Sequence, residues 1–87
     1  MSKTVELDPS DLRAVFAANL RRLRHERGLT QHDLAEKSGV GRIYIWQLEH
    51  CIYSASLKII QKLATALDIE PAELLKTARK ALKPRVS

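Results

Sequence analysis

Residues 28–49 read GLTQHDLAEKSGVGRIYIWQLE, and the reading of this stretch decides the fold. Thr30 is a helix N-cap residue, and Leu29 before it stands where it staples onto Leu34. The helix so opened covers residue 31 to residue 37 or 38 and buries Leu34 and Ala35. It stops at Gly39, whose freedom at positive φ allows the turn. A second short helix follows, from residue 41 or 42 to about residue 50. At about 100° per residue, Ile45, Leu48 and Glu49 share one third of its surface, with Val40 leading in. Ile43, Gln47 and His50 lie on the opposite face, flanked by Tyr44 and Trp46. A helix pair of this size encloses no substrate; it presents a helix face.

The flanking sequence repeats the same opening grammar. Leu7-Asp8-Pro9-Ser10-Asp11-Leu12 offers Asp8 as N-cap, Pro9 at the first helical position and Leu7 against Leu12. Ile69-Glu70-Pro71-Ala72-Glu73-Leu74 offers a similar start with a poorer cap, Glu70. A first helix is therefore expected over residues 9–27, with Leu12, Val15, Phe16, Leu20 and Leu23 facing the core and Gly28 ending it. A fourth starts after Ser56 and buries Leu57, Ile60, Leu63, Ala64 and Leu67. A fifth is expected over residues 71–82, with Leu74, Leu75, Ala78 and Leu82 on one stripe. Alternating runs are few and hairpin dipeptides are absent, so the fold class is all-α with five helices. The domain organisation expected is a single domain over residues 1–87, with core 9–82, helix pair 30–50 and flexible ends 1–7 and 83–87.

Composition bounds the function. The 87 residues carry 15 Lys and Arg against 10 Asp and Glu, a formal charge of +5, which favours a polyanionic partner, nucleic acid before membrane. Arg21, Arg22, Arg24 and Arg27 crowd the end of the first helix, and Lys76, Arg79, Lys80, Lys83 and Arg85 crowd the tail. Last-turn cations also relieve the helix dipole, which accounts for roughly half of the basic excess. No run approaches the ~18 apolar residues of a membrane helix, and the N-terminus lacks the apolar region of a signal peptide. The single cysteine, Cys51, fits a reducing compartment, so a cytoplasmic location is expected. His25, His32 and His50 are too widely spaced for a metal set, and His50-Cys51 is no catalytic dyad by itself. Neither metal, cofactor nor enzymatic activity is expected.

The outward face of the helix after Gly39 carries Arg42, Ile43 and Gln47. Arg pairs in bidentate fashion with guanine, Gln with adenine, and an apolar side chain touches the thymine methyl. Those are base-reading chemistries on a helix short enough to enter a major groove.

Gly28-Leu29-Thr30-Gln31, Leu34-Ala35, Ser38-Gly39-Val40, Ile45 and Leu48-Glu49 resemble the phage-repressor-type, or xenobiotic-response-element, family of helix-turn-helix regulators. That family includes lambda-type repressors and the small controller proteins of restriction-modification systems. The resemblance spans residues 16–75, including Leu63-Ala64-x-x-Leu67 and Pro71-Ala72-Glu73-Leu74-Leu75. It implies a lambda-repressor-like DNA-binding domain in which Gln31 bonds a backbone phosphate at a helix start. It also places Arg42, Ile43 and Gln47 at base-reading positions and Gly41 and Tyr44 at phosphate or sugar. Arg24 and Glu49 match a family ion pair that ties the first helix to the end of the third. Leu74, Leu75, Ala78 and Leu82 match a last helix that in relatives pairs with a second subunit, which implies a homodimer.

The chain departs from the family after the third helix. A glycine followed by basic residues and proline is usual there, whereas this chain has His50-Cys51-Ile52-Tyr53-Ser54-Ala55. The departure removes a Lys or Arg phosphate clamp and demands an unfavourable backbone at Cys51. Trp46 replaces a small or polar residue and is expected to pack against a neighbouring helix or a partner rather than stack on a base. Tyr44 and Tyr53 are expected to pack locally.

The function expected is a sequence-specific, double-stranded DNA-binding transcriptional regulator, a dimeric repressor. The alternative is a protein-interaction module or antitoxin that keeps the fold and uses Ile43, Trp46, Ile52 and Tyr53 as an apolar surface. Salt separates them, since only the DNA contact weakens steeply with ionic strength.

Overall fold

The structure, a computed structural model, describes residues 11–77. Helix α1 spans Leu12–Glu26, and the Asp11 carboxylate caps it by accepting the Arg13 amide at 2.9 Å. The start expected at residue 9 is thus three residues early, because Asp11 itself is extended (φ −75°, ψ 116°) and an extended residue ends a helical run. Leu7, Asp8 and Pro9 lie outside the described residues. Val15, Phe16, Leu20 and Leu23 are buried as expected, but Leu12 is exposed. Leu57 is corrected in the same way, at 83 % exposure. Each is the first residue of its helix, where no preceding turn covers it.

Helix α2, Gln31–Ser38, opens on a reciprocal capping box. The Thr30 hydroxyl accepts the Asp33 amide at 2.9 Å, and the Asp33 carboxylate accepts the Thr30 amide at 2.9 Å. Gly39, at φ 78°, turns the chain into α3, Arg42–Glu49. Helix α4, Leu57–Leu67, is capped by the Ser56 hydroxyl on the Ile59 amide at 3.2 Å. Helix α1 packs on α3, α2 packs on α3 and α4, and Leu20, Leu34, Ile45, Leu48, Leu63 and Leu67 fill the space between them. Among the described residues, no helix is long and apolar enough to cross a membrane.

The fifth helix differs from expectation. Pro71–Leu75 is a 3-10 helix, and Lys76 after it is extended (φ −82°, ψ 125°), so no unbroken helix runs over residues 71–82. Asn19 on α1 explains the stop: its side-chain amide donates to the Leu74 and Lys76 carbonyls, both at 2.9 Å. A continuing helix needs the Leu74 carbonyl for its own ladder. Residues 78–82 and the ends 1–7 and 83–87 lie outside the described residues. Fold class is therefore all-α, with four α-helices and one 3-10 helix among the described residues.

Three helix ends share one closure. Gly28, Cys51 and Asp68 are left-handed, each donating its amide to the carbonyl three residues back. The next residue, Leu29, Ile52 or Ile69, donates to the carbonyl five back. Cys51 does this at φ 57°, the backbone demanded by the missing glycine. A side chain in this region costs about 1–2 kcal/mol, partly offset by the freedom glycine gives the unfolded chain. The Cys51 thiol contributes only a long contact to the Arg13 carbonyl, at 3.5 Å. Cys51→Gly is expected to raise stability by about 0.5–1 kcal/mol in a urea melt.

Candidate nucleic-acid interface

The exposed side of α3 exists because its opposite side is fixed. Ile45 and Leu48 are fully enclosed, and Glu49 beside them is locked to α1. The Arg24 guanidinium meets the Glu49 carboxylate in a fork, Nε to Oε2 at 2.7 Å and Nη2 to Oε1 at 2.8 Å. The two side chains are only 9 % and 2 % exposed. The remaining Arg24 nitrogen donates to the Leu29 carbonyl at 2.9 Å, just before the Thr30 cap. One ion pair thus joins α1, the entry to α2 and the last residue of α3.

Burial pushes the Glu49 carboxyl up, but hydrogen bonds from Arg24 and Gln31, with the charges of Arg24 and Arg21, bring it below its ordinary value of 4.5. Arg24 is held above its usual value by the Glu49 hydrogen bond. Both groups are ionised at neutral pH.

Gln31 belongs to this network, which its position at the start of α2 did not reveal. Its Nε2 donates to Glu49 Oε1 at 3.0 Å. The amide nitrogen has a second hydrogen, so the tether leaves one donor for a phosphate. Arg42 and Gly41 are exposed at the start of α3, and the space where a Gly41 side chain would begin is open. Ile43 is 68 % exposed, and Gln47 and Tyr44 are half-buried. Tyr44 packs against Tyr53 with ring centroids 6.2 Å apart, so both tyrosines pack locally.

Trp46 is not part of the core. It is 43 % exposed and lies against His50 of its own helix end, ring centroids 4.0 Å apart and planes at 21°. The spacing of four residues makes that contact possible. With Gln31, Arg42 and Ile43, Trp46 borders a hollow of 220 Å³ on the outer face.

The Arg cluster at the end of α1 is largely structural. Arg22 pairs with Glu26 at 3.2 Å, Arg24 with Glu49, and Arg27 donates to the Leu67 carbonyl at 2.6 Å. Of the four residues expected at a subunit contact, Leu74 is wholly enclosed in the chain's own core. Leu75 is at the surface and borders an apolar groove of 230 Å³ with Leu12, Tyr53 and Leu57. Ala78 and Leu82 lie outside the described residues. Among the described residues, no three His, Cys, Asp or Glu side chains gather as metal ligands.

Two short helices joined at a left-handed glycine, the second anchored by a buried ion pair and open on its far side, define a helix-turn-helix protein. Residues 20–74 match the helix-turn-helix family HTH_3, and the chain belongs to that family. It is similar to a hypothetical transcription factor from Neisseria, at 34 % identity over 92 % of both chains with a TM-score of 0.79. It is also similar to the restriction-modification controller protein C.AhdI of Aeromonas hydrophila, at 48 % identity, 71 % of this chain, 94 % of that one and a TM-score of 0.69. A third similarity, at 28 % identity and a TM-score of 0.67, covers 77 % of this chain and 99 % of the controller protein C.Esp1396I. That protein's structure is a tetramer in complex with its natural 35-base-pair operator.

Proposed function

We propose that this chain is a sequence-specific, double-stranded DNA-binding transcriptional regulator that acts as a dimeric repressor. The observation that carries the reading is the fixed and open α3: Arg24, Glu49 and Gln31 set its angle, and Arg42, Ile43 and Gln47 stand on or beside its outward face. Arg42 and Gln47 read base edges, Ile43 touches a thymine methyl, and Gln31, Gly41 and Tyr44 lie along the phosphate and sugar. The operator complex of C.Esp1396I supports double-stranded DNA as the partner. The controller and transcription-factor relatives support regulation as the role; the reading is completed by a non-enzymatic, cytoplasmic protein.

As a homodimer, each copy places one α3 in successive major grooves, with half-sites roughly 34–36 Å apart. Leu75 and the groove beside it belong to the subunit contact in this reading, to which the sequence alone assigns Ala78 and Leu82, while Leu74 serves the core of each copy. Residues 1–87 act as one domain.

Titrating the chain with a pool of short duplexes at 50 and 200 mM salt tests the proposal. Affinity is expected to fall by about 10³-fold or more if six or more phosphates are contacted. Affinity independent of salt, or no binding at either salt, overturns the proposal and assigns the apolar surface to a protein partner.

A further inference from the structure

We infer that Trp46 is a specificity-determining residue: with Ile43 it forms an apolar seat for the C5-methyl group of a thymine. The inference rests on the DNA-binding function proposed above and names what part of the duplex this surface takes.

The geometry supplies the seat. Trp46 and Ile43 are three residues apart on α3, both exposed, and both border the 220 Å³ hollow closed by Gln31 and Arg42. The indole is held in place. His50 stacks on it at 4.0 Å, and the His50 Nδ1 lies 2.9 Å from the Trp46 carbonyl. A ring already fixed loses little rotamer freedom when a ligand meets it.

The chemistry of the rim selects the occupant. Arg42 and the amide of Gln31 provide positive charge and N–H donors, and no carboxylate lines the hollow. That combination suits a polyanion at the edge and an apolar group at the floor. In the major groove the thymine methyl is that apolar group. It projects from the base edge towards its own strand's phosphates. A strand whose phosphate meets Gln31 at the start of α2 therefore carries its methyl group towards the hollow.

The chain contains one tryptophan, so fluorescence excited at the red edge of the indole band, where its two tyrosines do not absorb, reports Trp46 alone. Duplexes selected by the full chain from a random pool are resynthesised with deoxyuridine in place of thymine, one position at a time. One thymine per half-site is expected at which the replacement weakens binding about fourfold, the worth of one buried methyl. Trp46→Ala removes that difference, Trp46→Phe keeps part of it, and the selected duplex shields the wild-type indole from acrylamide. Trp46 is outside the core, so circular dichroism of both variants matches the wild type. Tight binding with no deoxyuridine effect, or an indole as quenchable in the complex as in the free chain, overturns this inference and leaves DNA binding intact. Failure to select any duplex overturns both.

Discussion

Glu49→Ala is expected to destabilise the folded chain by about 3–5 kcal/mol, the largest effect of any single change discussed, because it strands a buried guanidinium. Domains of this kind have roughly 5–15 kcal/mol in total, so the variant sits near the limit of folding. Arg24 cannot lose its proton to escape, whereas Glu49 in an Arg24→Ala chain can gain one. The two variants therefore separate on acidification. In the wild type the Glu49 carboxyl is depressed below 4.5, so its contribution is complete above that pH and is lost as pH falls through the lower folded value. In Arg24→Ala, burial without the fork raises the same carboxyl above its unfolded value. Its penalty is then relieved below the unfolded value and grows as pH rises through the folded one. Urea melts between pH 3 and 7 check this. Asp11 and Asp33 are also depressed and act alike in both chains, so the difference between them is read: a wild-type advantage over Arg24→Ala that does not grow from pH 3 to 7 contradicts the role given to the pair.

Gln47→Ala and Arg42→Ala are each expected to cost about 1–3 kcal/mol of binding and to relax preference at one base pair, since each bidentate contact carries that much discrimination. Gln31→Ala, a phosphate contact, lowers affinity for all duplexes alike and takes one hydrogen bond from Glu49. Its urea midpoint drops as well, while those of the α3 variants stay near the wild type. Binding measured on a panel of single-base-pair variants of a selected duplex distinguishes them. Changed base preference in Gln31→Ala, or uniform loss in Gln47→Ala, reverses the roles assigned to α2 and α3.

How much of this was legible in the sequence follows from the range of each interaction. Thr30, Gly39 and the Ile45-Leu48-Glu49 side of α3 were legible because capping, positive φ and helical period act within a few residues. The left-handed Cys51 was legible as a family glycine replaced. Arg24 and Glu49 are 25 positions apart, so only the family resemblance joined them, and the Gln31 donor to Glu49 escaped even that. Asn19 carried no local sign that it would seize the Leu74 and Lys76 carbonyls, so a helix was expected where a 3-10 turn ends. Leu12 and Leu57 failed because periodicity assigns a side to a residue without saying whether a neighbour covers it. Trp46 was expected against a neighbouring helix or a partner, and nothing local pointed to its stack on the exposed His50 one turn on. Among the interface residues, the outward position of Ile43 followed from angle alone, whereas Arg42 shares the angular side of Glu49 and is exposed as the first residue of α3.

Selection of bound sequences from random duplex DNA, followed by footprinting of the winners, examines the open side of the third helix most directly. Enriched sites with two related halves about one helical turn apart, protected in adjacent major grooves, are the expected result. Recovery of no common sequence, with the helix surface instead covered by a second copy of the chain, contradicts it.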